Sequence, residues 1–245
     1  MEIGDGKKGE SIRTNLIKTE IMKVFFEDNH LIAINKDSGV LVQPDNGGDI
    51  ALEQMAKEYI KVKYEKPGEV FLGVIHRIDR PVSGLVLMAR TSKALERMNK
   101  AFKDREVQKT YLAIVRNRPP KEQGTLVHWL TRDQQKGITK AHTKEVNGSQ
   151  RAELHYKVLK EVNGFYLLEI KPITGRTHQI RVQLSSMNCP IVGDNKYGYP
   201  RGNKDKSICL HSYKLAFTHP VTKEPMELCA EVPEEEFWSR IVFSR

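Results

Sequence analysis

The chain has few cysteines, no long apolar run and no cofactor signature, and each lack removes a class of protein. Cys189, Cys209 and Cys229 are an odd number with no close pair, neither a disulfide framework nor a C-x-x-C zinc site. They are expected to be small buried apolar residues. The most apolar stretches, Val70–Ile75 and Gly84–Ala89, fall far short of the ~20 residues of a membrane-spanning helix. The polar N-terminus, Met1–Glu20, lacks the apolar core of a signal peptide, so a cytoplasmic location is expected. The run Gly4-Asp5-Gly6-Lys7-Lys8-Gly9 follows no strand pattern and lacks the G-K-[ST] ending of a phosphate loop. The eight His residues are scattered without metal-ligand spacing, so neither a metal nor any other cofactor is expected.

What is present is an ordinary globular composition, 39% hydrophobic and 29% charged. Its 245 residues suit one large domain or two small ones. With 40 Lys and Arg against 31 Asp and Glu the net charge is +9, which suits a polyanionic partner as well as it suits a solvated surface.

Met22–Phe26 and Leu31–Asn35 read as an opening strand pair. Asp49 is placed to cap a helix from Ile50 to about Lys61, with Leu52, Met55, Ala56 and Tyr59 on one stripe. Strands are expected at Val70–Ile75, Gly84–Arg90, Tyr111–Val115 and Leu210–Phe217. Thr91-Ser92 should start a helix carrying Leu95, Met98, Ala101 and Phe102. The strongest local signal is a hairpin, Arg151–Glu161 and Phe165–Lys171 around Asn163-Gly164, a dipeptide that tolerates the positive φ of tight turns. Thr177 should cap a helix through Met187, and Glu234–Val242 a closing helix with Trp238. The fold class is α+β, a central mixed or mostly antiparallel sheet with flanking helices. Residues 1–20 are expected to be a flexible polar tail and 21–245 the folded domain.

Two polar clusters interrupt this pattern. His76-Arg77-Ile78-Asp79-Arg80-Pro81-Val82-Ser83-Gly84 lies between two apolar runs, where charges are costly unless paired or facing a cleft. Taken alone it fits a structural network of ion pairs slightly better than catalysis. Gly175-Arg176-Thr177-His178-Gln179-Ile180-Arg181 would place Arg181 one turn inside a helix near its buried side, with Asp79 as the natural partner.

These residues resemble the RluA family of RNA pseudouridine synthases. The first cluster is similar to its H-R-L-D-x-x-[ST]-S-G element, Lys109-Thr110-Tyr111 to K-x-Y, and Gly175–Arg181 to G-R-x-H-Q-I-R. Gly193-Asp194 with Tyr197-Gly198 resembles G-D-x-x-Y-G, and Leu210-His211 resembles L-H-[AS]. The five elements come in the family's order and span about Val24 to Leu228. Ile78, Val82 and Gln183 stand where the family has Leu, a hydroxyl residue and His.

The resemblance implies isomerisation of uridine in structured RNA, large-subunit rRNA or tRNA. The target base is everted, its bond to ribose broken and remade at carbon 5. It gives Asp79, Tyr111 and Arg181 the catalytic roles. Arg77 would fill the gap left by the flipped nucleotide, and His76, Arg80, Arg176 and His178 would face RNA or support the loops that do. Ile180 and Leu210 would wall the pocket. A dry pocket favours a neutral acid, whereas a neighbouring guanidinium favours the anion. With only about twenty residues before the first strand, RNA would be gripped by the catalytic domain, through stretches such as Lys93–Arg105 and Lys136–Lys144. The expected partner is RNA and the default oligomeric state a monomer. The competing readings are a non-catalytic RNA-binding or ribosome-assembly factor on the same fold, which would not need Asp79, Tyr111 and Arg181 together, and a metal-dependent hydrolase, which lacks clustered carboxylates.

Overall fold

The computed structural model describes residues 22–243, so the expected N-terminal tail lies outside the described residues. The chain forms β1 (Lys23–Glu27), β2 (Leu31–Lys36), α1 (Leu52–Lys63), β3 (Gly73–Val74), β4 (Ser83–Ala89) and α2 (Ser92–Lys103). There follow β5 (Gln108–Val115), β6 (Gln123–Asp133), β7 (Ile138–His142), β8 (Gln150–Val162) and β9 (Phe165–Pro172). Then come α3 (Gln179–Ser186), a 3-10 turn at Asn195–Tyr197, β10 (Leu210–Thr218), β11 (Pro225–Cys229) and α4 (Glu236–Phe243).

The strands make one sheet in the order β1-β2-β4-β10-β5-β9-β8-β6-β7, with β3 added to β4 and β11 to β10. Every pairing is antiparallel except β4 with β10. This is the α+β architecture expected.

Alternation along the strands explains why β4 is buried throughout. Ile32, Ile34, Val86 and Met88 face one core with Leu52, Ala56 and Ile60 of α1 and Trp238 of α4. Leu31, Ala33, Leu85 and Leu87 face a second core with Ala94 and Met98 of α2. A strand covered on both faces has no polar side to show. The hairpin is as expected: Asn163 (φ 53°) and Gly164 (φ 75°) join β8 and β9.

At the parallel junction, Gly84 (φ 109°) lies against Ser212 so closely that a Cβ would sit 2.3 Å from the Ser212 carbonyl oxygen. Gly84→Ala is therefore expected to cost more than about 2 kcal/mol through backbone clash and strained φ. A urea midpoint equal to that of the unmutated protein would contradict this.

Several expectations need correction. Asp49 does not cap α1; Ala51 holds the cap position, its N–H donating to Gln54 Oε1 (2.9 Å), while Asp49 pairs with Arg80 (2.7 Å). The strand expected over Val70–Ile75 shrinks to Gly73–Val74, since only these two residues pair with β4. Thr177 is not the cap of α3; His178 takes that place in a left-handed conformation. Cys189 and Cys209 are buried as expected, but Cys229, at the end of β11, is exposed.

Candidate active site

β3 and β4 are joined by residues 75–82, which carry the first polar cluster. Ile78 is buried in the core, and this turns Asp79 and the exposed Arg77 outward on either side of it. The loop is pinned by its backbone: Val82 N–H donates to the Asp79 carbonyl (3.0 Å), Gly39 N–H to that of Arg80 (2.8 Å) and Ile208 N–H to that of Pro81 (3.1 Å).

The second cluster follows β9 and opens α3. Gln179 replaces the expected threonine cap as organiser. Its Oε1 accepts from the Arg176 N–H (3.0 Å) and the Thr174 hydroxyl (2.7 Å), and its Nε2 donates to the Glu153 carbonyl (3.0 Å). That folds the Gly175-Arg176 turn back and puts Arg181 in the first turn of α3, pointing inward.

Asp79 and Arg181 meet as expected: Arg181 Nη1 donates to Asp79 Oδ2 at 3.0 Å. The guanidinium also donates from Nε and Nη2 to Asp194 Oδ2 and Oδ1, at 2.7 and 2.8 Å. Asp194 is fully enclosed, Arg181 nearly so, and the Asp79 side chain keeps 26% exposure. The two-pronged contact fixes the guanidinium plane and leaves Nη1 for the carboxylate that faces open space. The Asp194 contact raises the already high pKa of Arg181, which stays charged against its burial.

That space is a cavity of about 510 Å³. Asp79, Tyr111, Arg181, Ile180 and Leu210 line it together, so the catalytic and pocket residues expected from sequence converge. Burial pushes the Tyr111 hydroxyl up to about 12; the charge of Asp79 adds to this, and a hydrogen bond with Ser212 opposes it. The ring is thus a neutral flat face over a wide pH range. Lys109, two residues earlier on β5, also reaches the cavity, its pKa lowered first by burial and then by Arg105.

The residues expected to touch RNA divide. Arg77 and Arg176 are exposed at the cavity. Arg80 is exposed too, but its Nε donates to the Gly39 carbonyl (2.9 Å) and its Nη2 to Asp49. His76 is a piece of the wall: Nε2 accepts from the Leu87 N–H (3.0 Å), the ring stacks on Phe102 at 5.2 Å, and burial pushes its pKa down to about 4.

His178 stands beside the carboxylate, its Nε2 3.7 Å from Asp79 Oδ2. Its Nδ1 lies 3.2 Å from Arg132 Nη1 and 2.6 Å from the Tyr197 hydroxyl. Because Arg132 only donates, Nδ1 is the acceptor and Nε2 carries the proton toward Asp79. Burial pushes the pKa of His178 down to about 4; Asp79 raises it, while Arg181, Arg132 and Lys196 lower it. The ring is neutral at neutral pH.

Asp194, Tyr197 and Arg132 were given no role by sequence reasoning. The first two sit in the G-D-x-x-Y-G resemblance, which was signal enough to notice; Arg132 lies on β6 and carried none. Gln183 donates to the Leu126 carbonyl (3.0 Å) and lies 3.1 Å from His128 Nδ1, so it ties α3 to β6 in place of the family's His.

The profile of the family described as RNA pseudouridylate synthase matches residues 30–186. The chain belongs to this family. Ribosomal large subunit pseudouridine synthase C of Vibrio vulnificus (strain CMCP6) is 31% identical over 241 residues, 96% of this chain and 73% of that protein. The tRNA pseudouridine synthase C of Pectobacterium carotovorum is also 31% identical, over 86% of this chain and 59% of that protein. Among solved structures, human RNA Pseudouridylate Synthase Domain Containing 4 superposes with a TM-score of 0.78, over 94% of this chain and 97% of that one. At 23% identity this likeness speaks for the pseudouridylate synthase fold. The family match covers Asp79, Tyr111 and Arg181, which all line the cavity.

Proposed function

We propose that this chain converts uridine to pseudouridine in structured RNA, large-subunit rRNA or tRNA, with Asp79 as the reacting carboxylate. What carries the reading is a partly exposed carboxylate at a cavity, fixed by a guanidinium that a second acid holds in place. The bond between ribose C1′ and uracil N1 breaks, the base turns, and C1′ joins C5. The proton leaving C5 balances the one N1 gains, so substrate and product are isomers. Asp79 serves by attacking C1′ or by taking a ribose proton, and either role needs its free oxygen within reach of the sugar.

A uracil stacked in a helix cannot reach this floor. It is everted at a cost of a few kcal/mol, offset in part by the flat face of Tyr111 and the apolar sides of Ile180 and Leu210. Arg77, exposed at the cavity, is placed to enter the vacated stack. Arg176 and the basic stretch Lys136–Lys144 supply charge for the backbone of the RNA. The names of the relatives support rRNA and tRNA as the substrate classes.

The test is release of tritium from RNA carrying 5-tritiated uridine, with EDTA present. Release that tracks enzyme concentration is the expected result. Tight RNA binding with no release favours the assembly-factor reading, and EDTA-sensitive strand cleavage a metal-dependent hydrolase.

A further inference from the structure

Lys36 closes β2 with its side chain only 1% exposed, one of the largest wholly buried side chains of the protein. Among the described residues its ammonium makes no ion pair within hydrogen-bond range. Nζ donates instead to three backbone carbonyls, those of Asp37 (2.9 Å), Val40 (2.9 Å) and Arg80 (3.3 Å). Two of these belong to the segment after β2, which runs on to line the cavity with Leu41, Val42 and Pro44. The third belongs to the residue directly after Asp79. Gly39 and Arg80 stitch the same two segments, N–H to carbonyl at 2.8 Å and guanidinium to carbonyl at 2.9 Å.

We propose that Lys36 is the positioning residue for Asp79, its ammonium binding the reacting loop to the cavity-lining segment through the Arg80 and Val40 carbonyls. The proposal rests on Asp79 being the reacting group. The chemistry of the amine supports it. Three carbonyls ask for three N–H donors, which an ammonium has; a neutral amine has two, and turns a lone pair on the third oxygen. Loss of the proton therefore loosens one of the two segments. A displacement of about 1 Å at a reacting group is enough to cost ~100-fold in rate.

The charged groups facing Lys36 are Asp37, Asp79 and Arg80. Burial is the largest influence and pushes its pKa down to about 7; the two acids raise it and Arg80 lowers it. The sign for stability is opposite to that for activity. Between about 7 and the ordinary lysine value of 10.5 the unfolded state binds more protons than the folded state. The contribution of Lys36 to stability therefore rises with pH in this window, while the rate of the chemical step falls.

The experiment is single-turnover tritium release from prebound RNA, from about pH 6 to about pH 9, with Tm measured at each pH. In the unmutated protein the rate falls as pH passes about 7, with no parallel fall in Tm. Lys36→Arg, whose guanidinium does not titrate there, loses this limb. Lys36→Met slows the step about 100-fold with RNA affinity within about threefold of the unmutated protein. A flat profile, a limb unchanged in Lys36→Arg, a Tm that falls with the rate, or Lys36→Met turning over at the unmutated rate overturns the proposal. Failure of the underlying reading looks different: the unmutated protein releases no tritium at any pH, which removes both.

Discussion

Asp79→Asn is expected to lower tritium release by at least about 10⁴-fold, the upper range for removing a general base and less than removing a nucleophile can cost. The amide keeps the size of the carboxylate, and its oxygen still accepts from Arg181 Nη1, so the loop at 75–82 should hold its place. With Arg77 and Arg176 untouched, affinity for substrate RNA should stay within about threefold, because phosphate contacts supply most of it. Loss of release with retained binding assigns the chemistry to this oxygen. Release at the unmutated rate would remove Asp79 from the mechanism and leave the cavity without a reacting group.

Arg181→Met has the second largest effect and two separable parts. Asp194 is 1% exposed and loses both of its charge-assisted hydrogen bonds, so the fold should lose about 3–5 kcal/mol, the cost of breaking a buried pair. Asp79 loses its 3.0 Å contact and its fixed orientation, so turnover should vanish in whatever fraction stays folded. The double variant Arg181→Met with Asp194→Asn removes the orphaned buried charge. It should recover most of the stability and none of the rate, by urea midpoint and single-turnover release. Recovery of rate in the double variant would show that Arg181 matters only through Asp194.

Much of the sheet was legible because its central strands are dense in β-branched and aliphatic residues and bounded by turn signals. Leu31–Asn35, Gly84–Arg90 and the Asn163-Gly164 hairpin fall within a residue or two of the observed elements. Not recognised were β11, a short strand added to β10, and β6 and β7 at the sheet edge, where Gln123–Asp133 is mostly half-exposed and its side chains keep no clean alternation. α3 was misjudged at its start: Thr177 has the composition of a cap, but Gln179 makes the contacts that fold the turn, and no local rule anticipates a glutamine reaching Glu153 across the fold. At the site, the Asp79–Arg181 pairing was foreseen, because a buried arginine needs an anion. Asp194, its two-pronged partner, was not assigned, and neither was Lys36, whose three partners are backbone oxygens on segments brought together only by folding.

Arg181 is shared between Asp79 and Asp194, so one positive group faces two negative ones in a chain whose overall balance is +9. Arg77, Lys109 and Arg176 line the same cavity, so its lining draws a polyanion as the surface at large does. At Asp79 the balance differs, because its guanidinium partner is already committed to the enclosed Asp194. The sharing that orients Arg181 thus leaves the reacting oxygen turned to the cavity beside cations that can take the phosphates.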